Sequence, residues 1–431
     1  MSHSMRQLIT QATLIGGAAE LTADGVGDVL IEAGKIAAIA PSITEIPTDT
    51  EIVDGSGQFL GPGLIDLYSQ SGEPGYEPRE TYVSLRRAAT AGGFTRVGLL
   101  PTTQPAADSI SAIASILAAQ KVGTNLSAQT KLMPWSAITI GAKGKQLVDF
   151  AELAEAGAVG FTDARPLSNP VLVKRLLEYM QPLNQPIALW PCDPQIAGAG
   201  AAREGVNSLR LGLEGVSVIA ETASLAALLE YIAETSTPIH IMRVSTARSI
   251  TLIRQAKEQG LPITASVAWH HLCFDTGDLQ DYQPSLRHDP PLGNPADRQA
   301  LVDAVREGVL EAIAIDHSPY TYEEKTVAFD LAPPGAIGLE LALPILWQTF
   351  VVTGKWPPDL LWHRLSHGPA NCLQLDAGRL EIGASAELTL FNPATQWTLT
   401  AQNLQTLSAF NTPWAGQSIQ GKVSHVWNCQ F

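Results

Sequence analysis

From Phe94 to Val351 the chain alternates short apolar runs with segments of helical period. Phe94–Leu100, Ala158–Phe161, Ile187–Trp190, Pro238–Val244, Pro262–Val267 and Ala312–Ile315 are short and almost continuously apolar, as strands buried on both faces are. Between them Leu147–Ala156, Glu221–Thr235, Thr246–Gln259 and Ala296–Gly308 read as helices, and Leu339–Val351 reads as another after the last strand. In Glu221–Thr235 the inward face is Leu225, Leu228, Leu229 and Ile232. Strand–helix repetition of this kind needs parallel strands joined by helical crossovers. With 431 residues there is room for a (β/α)8 barrel of about 250 residues and a smaller unit besides. The competing arrangement is an open doubly wound sheet, but no GxGxxG follows any of these strands.

The two ends have a different texture. Leu8–Ile15, Val29–Ile31, Ile36–Ile39 and Glu51–Val53 are short strands parted by Asp24-Gly25, Gly34 and Asp54-Gly55. Glu387–Phe391, Trp397–Leu399 and Val423–Trp427 repeat that texture near the other terminus. Neither end has enough apolar surface to stand alone. The expected fold is therefore α/β: a TIM-type barrel over residues 57–378, with a small composite β-sandwich built from 1–56 and 379–431.

Composition narrows the class. Hydrophobic residues at 45% and charged residues at 16% supply a large core and argue against disorder. A formal net charge of −15 makes nucleic acid a poor partner. Cys192, Cys273, Cys372 and Cys429 form no CxxC or zinc-ribbon spacing and read as reduced thiols. The opening MSHSMRQLITQATLIGG lacks a basic stretch followed by an apolar core, so no signal peptide is expected. The longest apolar stretch, Gly338 to Val352, is interrupted by Glu340, Pro344 and Gln348 and falls short of the ~20 residues a bilayer requires. A cytoplasmic protein with no membrane partner is expected.

In a barrel, chemistry sits where strands end and loops begin. The polar residues there are Asp66, Tyr68 and Gln70; Asp163; Trp190 and Asp193; Arg243 and Ser245; His270 and His271; Asp316 and His317. Any one of them alone reads as a capping or salt-bridged residue. Taken together, several different strands aim them at one mouth. His270 and His271 tempt a metal reading, but neighbours on a strand face opposite ways. His288, His363, His367 and His425 have no ligand-like neighbours in sequence, and His3 lies near the terminus.

Several segments resemble the dihydroorotase family of the amidohydrolase superfamily. They are Gly61-Pro62-Gly63-Leu64-Ile65-Asp66, Glu73-Pro74-Gly75-Tyr76-Glu77, Ala91-Gly92-Gly93-Phe94-Thr95 and Phe161-Thr162-Asp163, followed by Val244-Ser245-Thr246 and His270-His271-Leu272. Asp289-Pro290-Pro291-Leu292, Ala314-Ile315-Asp316-His317-Ser318-Pro319, Gly338-Leu339-Glu340 and Ala386-Glu387-Leu388 complete the series in the family's order. The resemblance implies a cyclic-amide hydrolase that uses zinc to lower the pKa of a bound water to ~7 and to polarise the carbonyl. It also implies an HxH pair on the first strand, a bridging carboxylate, two further histidines, and a proton-transferring aspartate on the last strand.

This chain departs from that pattern. The HxH place holds Tyr68-Ser69-Gln70, and the two further histidine places hold Trp190 and Arg243. His240, three residues before Arg243, is expected on the opposite strand face. Asp163 matches the bridging carboxylate and Asp316 the proton-transferring aspartate. The family's substrate clamp is replaced by Gly72, Thr102, Asp289 and Gly293. A phenol, an amide, an indole and a guanidinium are poor zinc donors, so no cofactor is expected. Arg243 is expected to enter the cavity and pair with Asp163 or Asp316, with Trp190 filling vacated volume.

Three functions follow. The first is a non-catalytic scaffold; the resemblance implies aspartate transcarbamoylase, of pyrimidine synthesis, as its partner, and a homodimer as a further assembly. The second is an active hydrolase with an altered site, Asp316 as base and Tyr68, His270 or His317 as acid. The third is a small-molecule sensor using the vacated pocket.

Overall fold

The apolar runs of the middle of the chain become the staves of a closed barrel in the computed structural model, which describes residues 6–22, 24–120 and 130–428. The staves are β1 (Leu64–Ser69), β2 (Phe94–Leu99), β3 (Lys131–Ser136), β4 (Gly160–Phe161), β5 (Ala188–Leu189), β6 (Ile239–Ile241), β7 (Ile263–Ala268) and β8 (Ala312–Ala314). β1 to β4 pair in sequence and so do β5 to β8, every pair parallel. A parallel bridge between Phe161 and Ile187 joins the two runs. The last strand returns to the first: Asp316 N donates to the Tyr68 carbonyl at 3.1 Å, and Gln70 N to that of His317 at 2.8 Å. Closure removes both sheet edges and rules out the open sheet.

Helices pack outside the staves through the faces their period marks. Helix Ile219–Thr235 buries Leu225, Leu228, Leu229 and Ile232. Helix Ala247–Glu258 opens on Thr246, whose side chain accepts from Ser249 N, and buries Ile250, Ile253 and Ala256. Inside the barrel Ile65, Leu67, Met133, Trp135, Met242 and Ala314 belong to a separate packed cluster.

Both chain ends feed one seven-stranded sheet. Ser418–Asn428, Glu387–Thr398, Phe59–Pro62, Arg6–Leu14, Val26–Glu32 and Lys35–Ala40 lie in that order, with Thr50–Asp54 also paired to Arg6–Leu14. Ile9, Val29, Ile31, Leu60, Leu388 and Trp427 form its core. Phe59–Pro62 leads straight into β1, so the sheet is tethered to the barrel by one residue of chain.

Two expectations change. Leu339–Val351 is not one regular helix: Ala342–Leu346 is α-helical and Trp347–Val351 widens into a π-turn. Leu339 and Glu340 are held elsewhere, the Glu340 carboxylate accepting from Gln405 N and Thr406 N. Pro238–Val244 is strand only over Ile239–Ile241, because Arg243 turns the chain with a φ of +57°. No helix among the described residues is long and apolar enough to cross a membrane. His3 and Cys429 lie outside the described residues.

Candidate functional site

The C-terminal ends of the staves surround a cavity of about 270 Å³. Gln70, Trp190, Arg243, His270, His271 and Asp316 line it, as do Arg79, Thr102, Arg165, His288, Asp289 and Tyr320. Tyr68, Asp163 and His317 do not reach its surface.

Arg243 dominates the mouth. Its Nε donates to Asp316 Oδ2 at 2.8 Å and its Nη2 to Asp316 Oδ1 at 2.7 Å. Nη1 donates to the Ala164 carbonyl at 3.2 Å. The guanidinium lies 5.1 Å from the centre of the Trp190 ring and 5.9 Å from that of Tyr68. Burial works against the guanidinium charge, but Asp316 outweighs it and drives the pKa above the ordinary arginine value. Arg243, Asp316 and Ala164 all have positive φ, at +57°, +50° and +53°. Such backbone is sparsely populated by residues with a Cβ and persists only where surroundings enforce it.

Tyr68 lies beneath the cavity, fully buried. Its Oη accepts from Arg243 N at 3.1 Å and lies 3.0 Å from Ser266 Oγ. Burial first, then the charge of Asp316, pushes its pKa well above the ordinary phenol value, so the ring stays protonated. Gln70 donates from Nε2 to Ser318 Oγ at 3.3 Å. Below them Asp66 accepts from Ser69 Oγ at 2.5 Å and from Ile315 N at 2.8 Å; burial pushes its pKa up to about 7. These bonds tie β1 to the end of β8, where Asp316 sits.

Asp163 does not join the pair. It accepts from Ile138 N at 2.8 Å, Thr139 N at 2.9 Å and Thr139 Oγ1 at 2.6 Å. Of the two partners expected for Arg243, the structure selects Asp316. The reason is local: the loop after β3 offers Asp163 two amides and a hydroxyl, which satisfy a buried carboxylate without a cation.

The histidines also differ from expectation. His270 and His271 are not on a strand; they open the short helix His270–Cys273, so they need not face opposite ways, and both line the cavity. His288 stands with them, its ring 4.5 Å from His270 and 5.8 Å from His271, contrary to its isolated reading. Burial pushes the pKa of His271 down to about 4 and holds His270 and His288 well below the ordinary value, so all three are neutral. His317 is buried away from the cavity, its Nδ1 accepting from Gly338 N at 3.2 Å and its Nε2 lying 3.5 Å from Glu80. Asp193 caps the helix Pro194–Ala197, and Ser245 bonds to Glu221 and Arg203. Both are structural.

Strand alternation failed for His240 as well. Strand β6 ends at Ile241, so the parity argument stops short of Arg243. His240 points into the barrel beneath the mouth, bonded to Thr264 Oγ1 at 2.9 Å and Ser266 Oγ at 2.8 Å.

Sequence reasoning missed Arg79, Arg165 and Tyr320. Arg79 Nε donates to both oxygens of Glu324 at 3.0 Å, with its guanidinium 4.2 Å from the Tyr76 ring and 4.9 Å from Tyr320. Nothing in the spacing marks it, since its partner is 245 residues away. At Gly72 the loop has closed up: a Cβ there would stand 2.3 Å from the Tyr76 carbonyl and 2.4 Å from that of Glu80. At Gly293 a Cβ would meet Asp297 Cβ at 2.5 Å.

Residues 57–248 match a family model described as dihydro-orotase-like. A probable dihydroorotase-like protein of Synechocystis sp. is 42% identical over 420 residues, covering 92% of this chain and 94% of that protein. A dihydroorotase of Anaeromyxobacter dehalogenans is 35% identical over 406 residues, covering 94% and 92%. Among solved structures, the L-hydantoinase from Arthrobacter aurescens superposes with a TM-score of 0.83 over 97% of this chain and 93% of that one. At 19% identity that likeness establishes the shared barrel-plus-sheet fold. Identities of 35–42% carried across more than nine-tenths of the sequence establish more: the chain belongs to the dihydroorotase family.

Proposed function

We propose that this chain is a non-catalytic dihydroorotase-like barrel of the cytoplasm, serving pyrimidine synthesis as a scaffold for aspartate transcarbamoylase. The bidentate Arg243–Asp316 pair carries the reading. Both oxygens of the aspartate that matches the family's proton-transfer residue are bound by a guanidinium. Both oxygens of that carboxylate are committed to the ion pair, and the guanidinium gives up no proton at neutral pH. A general base needs a free lone pair within reach of the proton it removes.

The residues at the places of the family's metal ligands do not fit a zinc ion. Tyr68 is a protonated phenol already bonded to Arg243 N, Gln70 is an amide bonded to Ser318, and Trp190 offers an N–H with no lone pair. Arg243 brings a positive charge to the place where a cation would sit. Asp163 has spent its oxygens on Ile138 and Thr139.

One observation favours a second reading, a small-molecule sensor. His270 Nε2, His271 Nδ1, His288 Nε2 and Trp190 Nε1 are buried around the cavity with no hydrogen-bond partner among the described residues. Unpaired buried polar atoms are costly and a bound ligand satisfies them when nearby groups shift.

The test is an assay for dihydroorotate formed from carbamoyl aspartate, run beside gel filtration with the aspartate transcarbamoylase of the same cell. The proposal expects no turnover above buffer and co-elution of the two proteins. Turnover that Asp316→Asn abolishes would establish the hydrolase instead.

A further inference from the structure

Barrels of this kind usually fill their interior with layers of branched apolar side chains. Here a file of polar groups runs through it. Arg243 N donates to Tyr68 Oη at 3.1 Å, and Tyr68 Oη lies 3.0 Å from Ser266 Oγ. Ser266 Oγ lies 2.8 Å from His240 Nε2, and His240 Nδ1 lies 2.9 Å from Thr264 Oγ1. Tyr68, Ser266 and His240 are buried. The file ends at a cleft on the opposite face of the barrel, lined by His240, Thr264, Asn371 and Cys372.

The protons in this file have one consistent order. A phenol carries a single proton. Tyr68 Oη already accepts from Arg243 N, and its other hydrogen-bond partner is Ser266 Oγ. The phenol therefore donates to Ser266. The Ser266 proton then goes to His240 Nε2, which must be bare. A neutral imidazole with a bare Nε2 carries its proton on Nδ1, and that proton goes to Thr264 Oγ1. The reverse order would bury the phenol proton without an acceptor, the costlier arrangement.

We infer that His240, as the neutral Nδ1–H tautomer, is a positioning residue for the barrel mouth. By taking the Ser266 proton it leaves Ser266 Oγ free to accept from Tyr68. The phenol oxygen is then turned toward Arg243 N and clamps that residue in its left-handed backbone, from which the guanidinium reaches Asp316. Removing the imidazole acceptor lets Ser266 and Tyr68 reorient and loosens Arg243, although His240 touches neither Arg243 nor the cavity's charged pair. This goes beyond the scaffold reading and does not depend on it, since the clamp acts whether or not the chain turns over substrate.

The test uses nitrogen NMR on the full chain, labelled at histidine and arginine. At pH 6 to 8 His240 is expected to be neutral with its proton on Nδ1. A proton on Nε2, or on both nitrogens, overturns the assignment. Hydrogen exchange of the Arg243 Nε–H gives the second readout. His240→Leu is expected to speed it about tenfold or more, while His240→Gln, an amide that both donates and accepts, stays within about threefold of the unaltered chain. Tyr68→Phe should match His240→Leu, and the double variant should add little to either. Equal exchange in His240→Leu and the unaltered chain contradicts the inference. If His240→Leu fails to fold, the tautomer measured in the unaltered chain decides alone.

Discussion

Arg243, at the end of β6, and Asp316, at the end of β8, meet in a two-pronged ion pair across the barrel mouth, with N–O distances of 2.8 and 2.7 Å. Both backbones are left-handed there, and Tyr68 holds Arg243 N from below. Charge is thus balanced inside the site by the chain's own side chains, and the balance has measurable consequences.

Arg243→Ala would leave Asp316 partly buried without its cation. A loss of about 3–5 kcal/mol in urea unfolding is expected, the usual cost of breaking a buried pair from one side. Arg243→Lys should fall between, because an ammonium lacks the planar fork that makes two parallel bonds. The double variant Arg243→Ala/Asp316→Ala should cost less than the two single changes added together. Unchanged stability in Arg243→Ala would disprove the pairing.

The buried histidines set an acid limit. Burial holds the pKa of His240 down to about 3 and that of His271 to about 4. In the unfolded chain both titrate near 6.5, so below that pH the unfolded state binds protons that the folded state refuses. Their contribution is whole above about pH 6.5 and is lost as pH falls, at about 1.4 kcal/mol per pH unit for each group. His240→Gln should make the slope of stability between pH 6 and pH 4.5 shallower by about that amount. Parallel slopes would show that His240 is protonated in the folded chain.

The resemblance puts the family's clamping arginine at Gly72, where the loop has no room for a side chain. Gly72→Arg should therefore cost roughly 3 kcal/mol or more through overpacking against backbone, with no gain in affinity for carbamoyl aspartate. Calorimetric titration of the variant checks this; tighter binding with intact stability would mean that the clamp is dormant and not dismantled.

Much of this architecture was legible in the residues. Apolar runs alternating with helical faces marked the barrel because its parallel staves are buried on both sides. Gln70, Trp190 and Arg243 marked the cavity mouth because strand ends point there, with Tyr68 just beneath it. Some elements were not legible. Strand β3, Lys131–Ser136, carries Pro134, which reads as a break, yet Pro134 pairs in the ladder opposite Leu99 and its carbonyl accepts from Val159 N. Parity misplaced His240 because Arg243 leaves the strand. The choice of Asp316 over Asp163 turned on amides of the loop after β3, which have no side-chain signature. Arg79 and His288 reach the cavity through contacts distant in sequence.

Zinc content is the sharpest discriminator. The full chain, expressed with added zinc and dialysed against micromolar zinc at neutral pH, should on the proposed reading retain far less than about one ion per chain, because Tyr68, Gln70, Trp190 and Arg243 stand at the places of the family's histidine donors. Close to one tightly held zinc per chain, with an anomalous peak between Asp163 and Asp316 in crystals, would contradict the proposed non-catalytic reading.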